Sequence, residues 1–390
     1  MLIRIFAVVL LAMVQMPVSS VVLADGDVEA FKAAYGRYQT ALETDNLEAA
    51  SAAAAQALEL GKLVFPDDSP SLLALYVNNG DLLIDLQRYS EAVPLLQEAV
   101  TSFEEQYGKK DERLIYALWA LAEANGGTGE HEIAVKQLIR LSRMVKKANG
   151  AESRVFADVQ QLLGQESYFS ASQYKKARRR LADAYNIYST LYGDSVYQTG
   201  LAALWLGKAE LLEKNRNEQA ERHFLEALNI FEATTPPGHP LRLAARDLLI
   251  HIYEDTERGD QATVHLVAIA RMGPRTEIDG DLPLYKKSPA YPKAAARLEK
   301  EGWVLVEFTV TASGTVINPT IVQSEGGEEF ERAALDVIKA YRYAPAVLDG
   351  QVIAADGVRN LVTFKMADLL SPDLGNRARR RLPKIRQAKY

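Results

Sequence analysis

The sequence repeats itself with a period of 42 to 43 residues over most of its length. Each repeat has a small residue just after a polar turn, and consecutive markers lie 43, 42, 43, 43 and 42 residues apart. These markers are Ala49, Ala92, Ala134, Ala177, Ala220 and Ala262. Self-similarity at such a period is typical of helical solenoids, because one helix-turn-helix unit cannot bury its apolar face alone and stacks on its neighbours. We therefore predict an all-α array of about six repeats over residues 27–272.

The turns between the repeats also recur, and each contains a glycine: Gly108, Gly150, Gly193 and Gly238. A helix-turn-helix unit of this length, with alanines in this register, resembles the long tetratricopeptide repeat (TPR) of the kinesin light chain type. The resemblance implies an extended concave surface that binds peptides or protein partners, although it does not identify the ligand. An alternative interpretation is that the array is a rigid spacer with no ligand.

A different pattern begins near residue 290. Residues 304–310 alternate between apolar and more polar side chains, which predicts a half-buried strand, and Gly314 lies in a polar turn before a second strand over 315–324. Apolar residues then recur at helical spacing from Phe330 to Tyr341, and Pro345 ends the helix. Residues 358–366 alternate again and predict a last strand. We therefore predict a small α+β domain over residues 290–367, with a helix on a three-stranded antiparallel sheet.

The same stretch resembles the C-terminal domain of TonB, the periplasmic energy transducer that grips outer-membrane receptors. The resemblance is carried by spaced positions that include a Tyr-Pro start, two glycines and an aromatic-x-aromatic-x-Pro end of the helix. These residues are Tyr291, Pro292, Gly302, Gly314, Phe330, Ala334, Tyr341, Tyr343 and Pro345. They imply the structural framework of that domain.

In that family the last strand pairs with a short extended segment near the N-terminus of the receptor. An edge strand exposes backbone N–H and C=O groups that another extended chain can pair with. The resemblance therefore implies a partner-binding edge formed by Val358, Arg359, Asn360, Leu361, Val362, Thr363, Phe364 and Lys365. An alternative is that the charges of Arg359 and Lys365 blunt this edge, so that it binds nothing.

The first 24 residues have the features of a secretory signal peptide. Arg4 precedes an uncharged apolar run over residues 5–14, and Val22-Leu23-Ala24 fits the small-x-small rule for cleavage after Ala24. The chain has no cysteine, which excludes a lipid-modified N-terminal cysteine as an anchor. Export together with the TonB resemblance predicts the periplasm as the location. The alternative is an uncleaved inner-membrane anchor, because residues 5–24 are just long enough to span a bilayer.

Two further segments flank the C-terminal domain. Residues 273–289, which contain Gly280 and Pro283, are predicted to be a short linker that leaves the domain tethered with limited mobility. Residues 368–390 are a basic tail on a chain whose net charge is −6. The tail is interpreted as a solvated terminus, or alternatively as a contact to anionic lipid head groups or to an acidic cell-wall polymer. The net charge disfavours nucleic acid as a partner.

The sequence offers no catalytic, metal-binding or cofactor-binding motif. His131-Glu132 lacks the second histidine that a zinc protease helix requires, and Ser172-x-x-Lys175 has no companion motif of a serine acylase. His223 and His265 are 42 residues apart, so the repeat register accounts for them better than metal binding does. We therefore expect a protein that is not an enzyme and that has no metal and no cofactor.

These features together predict a periplasmic adaptor. Its repeat array would dock one protein, and its TonB-like domain would bind an extended segment of an outer-membrane receptor by β-strand addition. Two alternatives remain open. One is a membrane-anchored energy transducer for TonB-dependent transport, and the other is a structural envelope protein that forms homodimers through its sheet edge.

Overall fold

The structure is a computed structural model that describes residues 25–193, 196–272 and 282–366. The described residues form two compact units, divided between Leu191 and Tyr192. The predicted signal peptide or anchor, the first part of the predicted linker and the basic tail lie outside the described residues. Within the part of the chain that is described, no helix combines the length and the apolar character that a bilayer span requires.

The first unit consists of antiparallel helix pairs. Its helices are α1 (Asp25–Glu43), α2 (Leu47–Val64), α3 (Pro70–Asp85), α4 (Tyr89–Tyr107), α5 (Leu114–Thr128), α6 (His131–Asn149), α7 (Arg154–Phe169) and α8 (Tyr174–Tyr192). The turns use left-handed backbone, which few residues other than glycine adopt readily. Gly108 and Gly150 end the second helix of two pairs with φ values of 83° and 88°. Asp45 and Gln87, with φ values of 53° and 60°, turn the chain within a pair.

The predicted marker alanine faces the core in five repeats, and in one repeat the core-facing alanine is the next residue. Ala92, Ala134, Ala177, Ala220 and Ala262 are each the fourth residue of a helix, and each side chain is 0% exposed. In α2 the fourth residue is Ala50, which is also 0% exposed, whereas the predicted marker Ala49 is exposed. The markers are therefore 42, 42, 43, 43 and 42 residues apart. Both positions are alanine, so only the helix boundary could show which one faces the core.

Glycines in the first helix of several pairs allow the second helix to come close. A Cβ atom at Gly80 would lie 2.5 Å from Leu96, and one at Gly164 would lie 2.5 Å from Leu181. Both leucines are 0% exposed. The repeats are thus packed through pairs of a glycine and a large apolar side chain, which explains why small residues recur with the period of the repeat.

Polar contacts link successive helix pairs in the first unit. The Glu132 carboxylate accepts hydrogen bonds from the Ser170 hydroxyl at 2.8 Å and from the Ser172 hydroxyl at 2.6 Å. It also accepts one from the Ser172 backbone N–H at 3.0 Å. These donors, led by Ser172, lower the pKa of Glu132 to about 2. Ser172, the serine of the Ser-x-x-Lys sequence, therefore has a structural partner in the neighbouring repeat.

The second unit contains further helix pairs and the C-terminal domain. The pairs are α9 (Tyr197–Glu210) with α10 (Asn217–Thr234), and α11 (Pro240–Asp255) with α12 (Gly259–Ala270). The C-terminal domain is built from α13 (Lys293–Arg297), β1 (Gly302–Val310), β2 (Val316–Glu325), α14 (Glu328–Ile338), β3 (Ala346–Leu348), β4 (Gln351–Ile353) and β5 (Ala355–Phe364). The predicted fold class is confirmed: TPR-like helical repeats are followed by a small α+β domain.

β1 is the central strand of an antiparallel sheet whose order is β2-β1-β5. Helix α14 covers one face of this sheet, and the core between them includes Val304, Val306 and Phe330, each 0% exposed. The first two predicted strands start and end within two residues of the observed ones, whereas β5 runs over Ala355–Phe364 rather than over the predicted residues 358–366.

The β3–β4 hairpin was not predicted. Its turn is Asp349-Gly350, where both residues have positive φ, 49° and 78°. An Asp-Gly pair with this backbone is a type I′ turn, which matches the twist of a two-residue hairpin. The sequence contained this signal, but residues 346–353 were not assigned to any element.

We expect Gly164→Ala to lower the stability of the first unit by about 1–3 kcal/mol, because the added methyl group would lie 2.5 Å from Leu181. The matched control is Gly36→Ala in α1, where a Cβ atom meets nothing within 4 Å. That change should stabilise the helix by about 0.5–1 kcal/mol. Urea unfolding followed by circular dichroism measures both, and equal effects from the two variants would contradict the packing argument.

A candidate strand-addition edge in the C-terminal domain

β5 is an edge strand of the sheet. β1 pairs with it on one side, over the register Gly302↔Phe364 to Val310↔Ala355. On its other side, no strand among the described residues pairs with it. The backbone N–H and C=O groups on that side are the chemical requirement for adding an extended segment from another polypeptide.

The side chains of β5 alternate between the two faces of the sheet, as the sequence predicted. Val362 and Phe364 are each 1% exposed and face α14, whereas Leu361 is 48% exposed on the opposite face. Arg359 and Thr363 are exposed on the same face as Leu361, and Lys365 follows the end of the strand. A segment added to this edge would therefore have alternate side chains over the core and over the open face.

Arg359 lies next to the adjacent strand rather than across the free edge. Its guanidinium Nε donates to Glu307 Oε2 on β1 at 2.7 Å, in the row where Arg359 and Glu307 are paired directly. The Arg359 side chain is 59% exposed, so the pair is a surface ion pair that stabilises the fold little. The pair matters for its geometry. It keeps the Arg359 charge over the sheet face, where this charge hinders pairing at the free edge of β5 less.

Two irregularities lie on β5. The register shifts between Phe308 and Val310, opposite Gly357, whose φ is 72°, and Thr309 Oγ1 donates to Asp356 Oδ1 at 2.6 Å. Such a bulge bends an edge strand. Further along, Asn360 is 9% exposed, and its Oδ1 atom has no hydrogen-bond partner among the described residues.

The aromatic residues of the family motif form the core behind the edge strand. The Tyr291 ring meets the Phe330 and Phe364 rings edge-on at centroid distances of 5.8 and 5.9 Å, and Phe330 and Phe364 are 4.8 Å apart. Pro292 is the N-cap residue of α13. The side chain that ends β5 is thus fixed from within by two motif residues, and this fixes the position of the edge.

Of the other motif residues, Ala334 lies within α14, and Tyr341, Tyr343 and Pro345 lie between α14 and β3. Ala334 and Tyr341 are 0% exposed, Tyr343 is 2% exposed, and Pro345 is buried after them. Burial raises the pKa of the Tyr341 phenol above its ordinary value. These residues hold α14 to the sheet and do not lie on the edge strand.

The two motif glycines lie where a side chain would collide with backbone. A Cβ atom at Gly302 would lie 2.5 Å from the Glu325 carbonyl oxygen. Gly314 has a φ of 78°, and its carbonyl accepts a hydrogen bond from the Tyr343 N–H at 3.0 Å. A Cβ atom at Gly314 would lie 2.2 Å from the Tyr343 carbonyl oxygen. Both glycines therefore serve close approach between parts of the domain.

Arg342, between the two motif tyrosines, has a role that the sequence analysis missed. The tyrosines alternate into the core, so Arg342 faces the other way and meets α11 and α12. Its Nε donates to Glu254 Oε1 at 2.7 Å, and its Nη2 donates to the Gly259 carbonyl at 3.3 Å. The period of two along an extended segment could have shown that Arg342 opposes the tyrosines, but not what it contacts.

The last part of the predicted linker is attached to the C-terminal domain. Leu284 and Tyr285 donate their N–H groups to the Arg342 carbonyl at 2.8 and 3.2 Å, and the Arg342 N–H donates to the Tyr285 carbonyl at 3.0 Å. Tyr285 also donates its hydroxyl to Asp255 Oδ1 at 3.0 Å. Residues 284–285 therefore form part of the domain and also contact α11.

The repeat histidines have structural partners. His223 Nδ1 lies 2.8 Å from Glu210 Oε2, and His265 Nδ1 lies 3.1 Å from Arg246 Nη1. Over residues 25–193, 196–272 and 282–366, no cluster of three histidine or acidic side chains could hold a metal ion.

Family comparisons agree with this geometry. Residues 287–366 match the family model for the Gram-negative bacterial TonB protein C-terminal. Residues 71–147 match the tetratricopeptide repeat. The C-terminal domain is TonB-like.

Curated relatives match a short part of the chain. Protein TonB of Vibrio cholerae serotype O1 is 35% identical over 66 residues, which is 17% of this chain and 27% of that protein. Protein TonB of Escherichia coli is 36% identical over 66 residues, which is 17% of this chain and 28% of that protein. Protein TonB of Xanthomonas campestris pv. campestris is 33% identical over 78 residues, 20% and 34% of the two chains. The chain spans about a quarter to a third of the length of these relatives.

Solved structures of repeat proteins superpose on part of the chain with TM-scores below 0.5. The TPR-like repeats of a kinesin light chain protein from Podosopora anserina superpose with a TM-score of 0.45 at 19% identity, over 53% of this chain and 96% of that one. A tetratricopeptide repeat protein from Parabacteroides merdae superposes with a TM-score of 0.38 at 14% identity, over 64% and 96% of the two chains.

We expect Phe364→Ala to destabilise the TonB-like domain by about 3–5 kcal/mol, because it removes a ring that packs against Phe330 and Tyr291. Leu361→Ala on the same strand is the matched control and should change stability by less than about 0.5 kcal/mol. Hydrogen exchange of the β1 amides, read by mass spectrometry, measures both. A large loss of protection from Leu361→Ala would show that the open face is covered.

Proposed function

We propose that this protein is a non-catalytic adaptor of the bacterial cell envelope. Its TonB-like domain binds an extended segment of an outer-membrane receptor by adding that segment to the free edge of β5. The observation that carries the proposal is that β5 combines an unpaired edge with a fixed core-facing side, over residues that match the TonB family. The repeats, which match a family of protein-interaction modules, supply a surface for a second protein.

Backbone pairing at this edge gives weak, reversible binding. Four or five added ladder hydrogen bonds would contribute about 0.5–1.5 kcal/mol each, and ordering the incoming segment offsets part of that gain. The side chains around the edge must therefore supply selectivity. Leu361 and Thr363 offer an apolar and a polar contact on the open face, and Arg359 offers a charge whose position is set by Glu307.

The proposal includes export to the periplasm with cleavage after Ala24. An adaptor of this kind binds a receptor but does not pull on it. An intact residue 1–24 segment would favour the second function, a membrane-anchored transducer that acts with inner-membrane partners.

Edge binding can be tested with a single introduced thiol, because the chain has no cysteine. Leu361→Cys on β5 and Ile317→Cys on the opposite edge strand β2 have similar exposure in the wild type, 48% and 43%. Each variant is labelled with a photoreactive maleimide and irradiated with outer membranes of the same bacterium. We expect Leu361→Cys to crosslink to one extended segment near the N-terminus of an outer-membrane protein, and Ile317→Cys to crosslink far less.

Two results of this experiment would contradict the proposal. Equal crosslinking from both edges would show that the contact is not strand addition at β5. Crosslinks from Leu361→Cys that reach only a second copy of this chain would instead support the self-associating envelope protein.

The start of the mature chain separates the adaptor from the transducer. We expect the intact mass of protein purified from the periplasmic fraction to correspond to a chain that begins at Asp25. Recovery of the full chain from the inner membrane, with Met1 retained, would overturn export with cleavage and favour the transducer.

A further inference from the structure

The TonB-like domain makes a polar, largely buried contact with the last helix pair. Arg342 is 9% exposed as a residue, and the side chains of Arg342 and Glu254 are 11% and 15% exposed. The Arg342 guanidinium also reaches the Gly259 carbonyl at the first residue of α12. One side chain of the domain therefore bridges the end of α11 and the start of α12.

Several other contacts surround this bridge. The Tyr285 hydroxyl donates to Asp255, and the Tyr285 ring lies 5.3 Å from the His251 ring in an edge-on arrangement. On the other side of Arg342, Thr263 Oγ1 donates to the Ser313 carbonyl at 3.4 Å, and Leu266 lies against Gly314. The contact thus involves both helices of the pair and three separate segments of the domain.

The acidic residues of this contact are placed unfavourably for the helix that carries them. Glu254 and Asp255 are the last two residues of α11. The C-terminal end of a helix carries partial negative charge and is stabilised by cations rather than by carboxylates. The Arg342 guanidinium and the Tyr285 hydroxyl provide the positive charge and the donor that these two carboxylates need.

The contact also covers the end of a helical array. In a repeat protein each unit packs on its neighbours, so the last unit needs either a polar outer face or a cover. Among the described residues no further repeat follows α12, and its Leu266 is nonetheless 0% exposed. Gly314 of the hairpin turn supplies part of that cover, since a Cβ atom there would lie 3.2 Å from Leu266 Cδ1.

We propose that α11 and α12 form a docking seat for the TonB-like domain of the same chain, with Arg342 and Glu254 as its central pair. The domain then serves as the C-terminal cap of the repeats. The edge strand β5 is thereby held at a fixed orientation to the last helix pair. The covalent connection through residues 273–281 is then not what positions the edge.

The seat can be tested by cutting the connection and asking whether the two parts stay together. A protease site is placed within residues 273–281 of the full-length protein, the folded protein is cut, and the fragments are separated by size at micromolar concentration. We expect the wild-type fragments to migrate as one complex. Immediate separation of the wild-type fragments would overturn the proposal.

Charge reversal then tests the central pair. Arg342→Glu and Glu254→Arg should each weaken the fragment complex on the order of 100-fold, because each leaves like charges facing one another in a largely buried contact. The double variant Arg342→Glu with Glu254→Arg should recover most of that loss. A structural defect in either fragment would not be rescued by the second substitution, so rescue identifies the contact itself.

Two further variants complete the test. Arg332→Glu makes the same charge change at an exposed position on α14 and should leave the complex intact. Tyr285→Phe removes only the hydroxyl that donates to Asp255, and we expect a loss of about 5- to 10-fold. Equal weakening by Arg332→Glu and Arg342→Glu would show an effect of net charge and would refute the seat. The measurement needs no receptor, so its outcome is independent of strand addition at β5.

Discussion

β1 is paired on both sides, and that pairing positions the other two strands of the three-stranded sheet. With β2 on one side and β5 on the other, β1 has no free edge, and its alternate side chains fill the core beneath α14. β5 therefore has one paired and one unpaired side, while Phe364 fixes the end of the strand against two aromatic rings. In a three-stranded sheet only the central strand has both sides paired, so each outer strand keeps one unpaired side. The free edge of β5 therefore requires no special residue on the edge itself.

The sequence predicted much of this fold because its signals are periodic. The alternation of apolar residues in β1 and β5 specifies which side chains face the core, and the alanines of the repeats specify the faces along which helices approach. Periodicity fixes a face less well where neighbouring residues are alike, as with Ala49 and Ala50. The β3–β4 hairpin was missed for another reason. Its strands are only three residues each, too short for a pattern, and the Asp349-Gly350 turn was the only local signal.

The contact made by Arg342 could not have been predicted in the same way. Glu254 and Gly259 lie more than 80 residues earlier in the chain, and no periodic pattern relates an arginine in one domain to a carboxylate in another. The unfavourable charges at the end of α11 were a signal of such a contact, because two adjacent carboxylates at a helix C-terminus are stabilised by a cation from another part of the structure. The edge residues themselves were located by pattern and resemblance, whereas what binds there depends on a second molecule.

The nearest-neighbour character of the repeats has a consequence for how chains of this type can change in length. Each helix pair is held by contacts to the pairs beside it, such as Glu132 with Ser170 and Ser172, whereas the TonB-like domain touches α11 and α12. Whole repeats could therefore be duplicated or lost upstream of α11 without altering any residue that seats the domain. Evolution could lengthen or shorten the array while the TonB-like domain and its contacts stay the same.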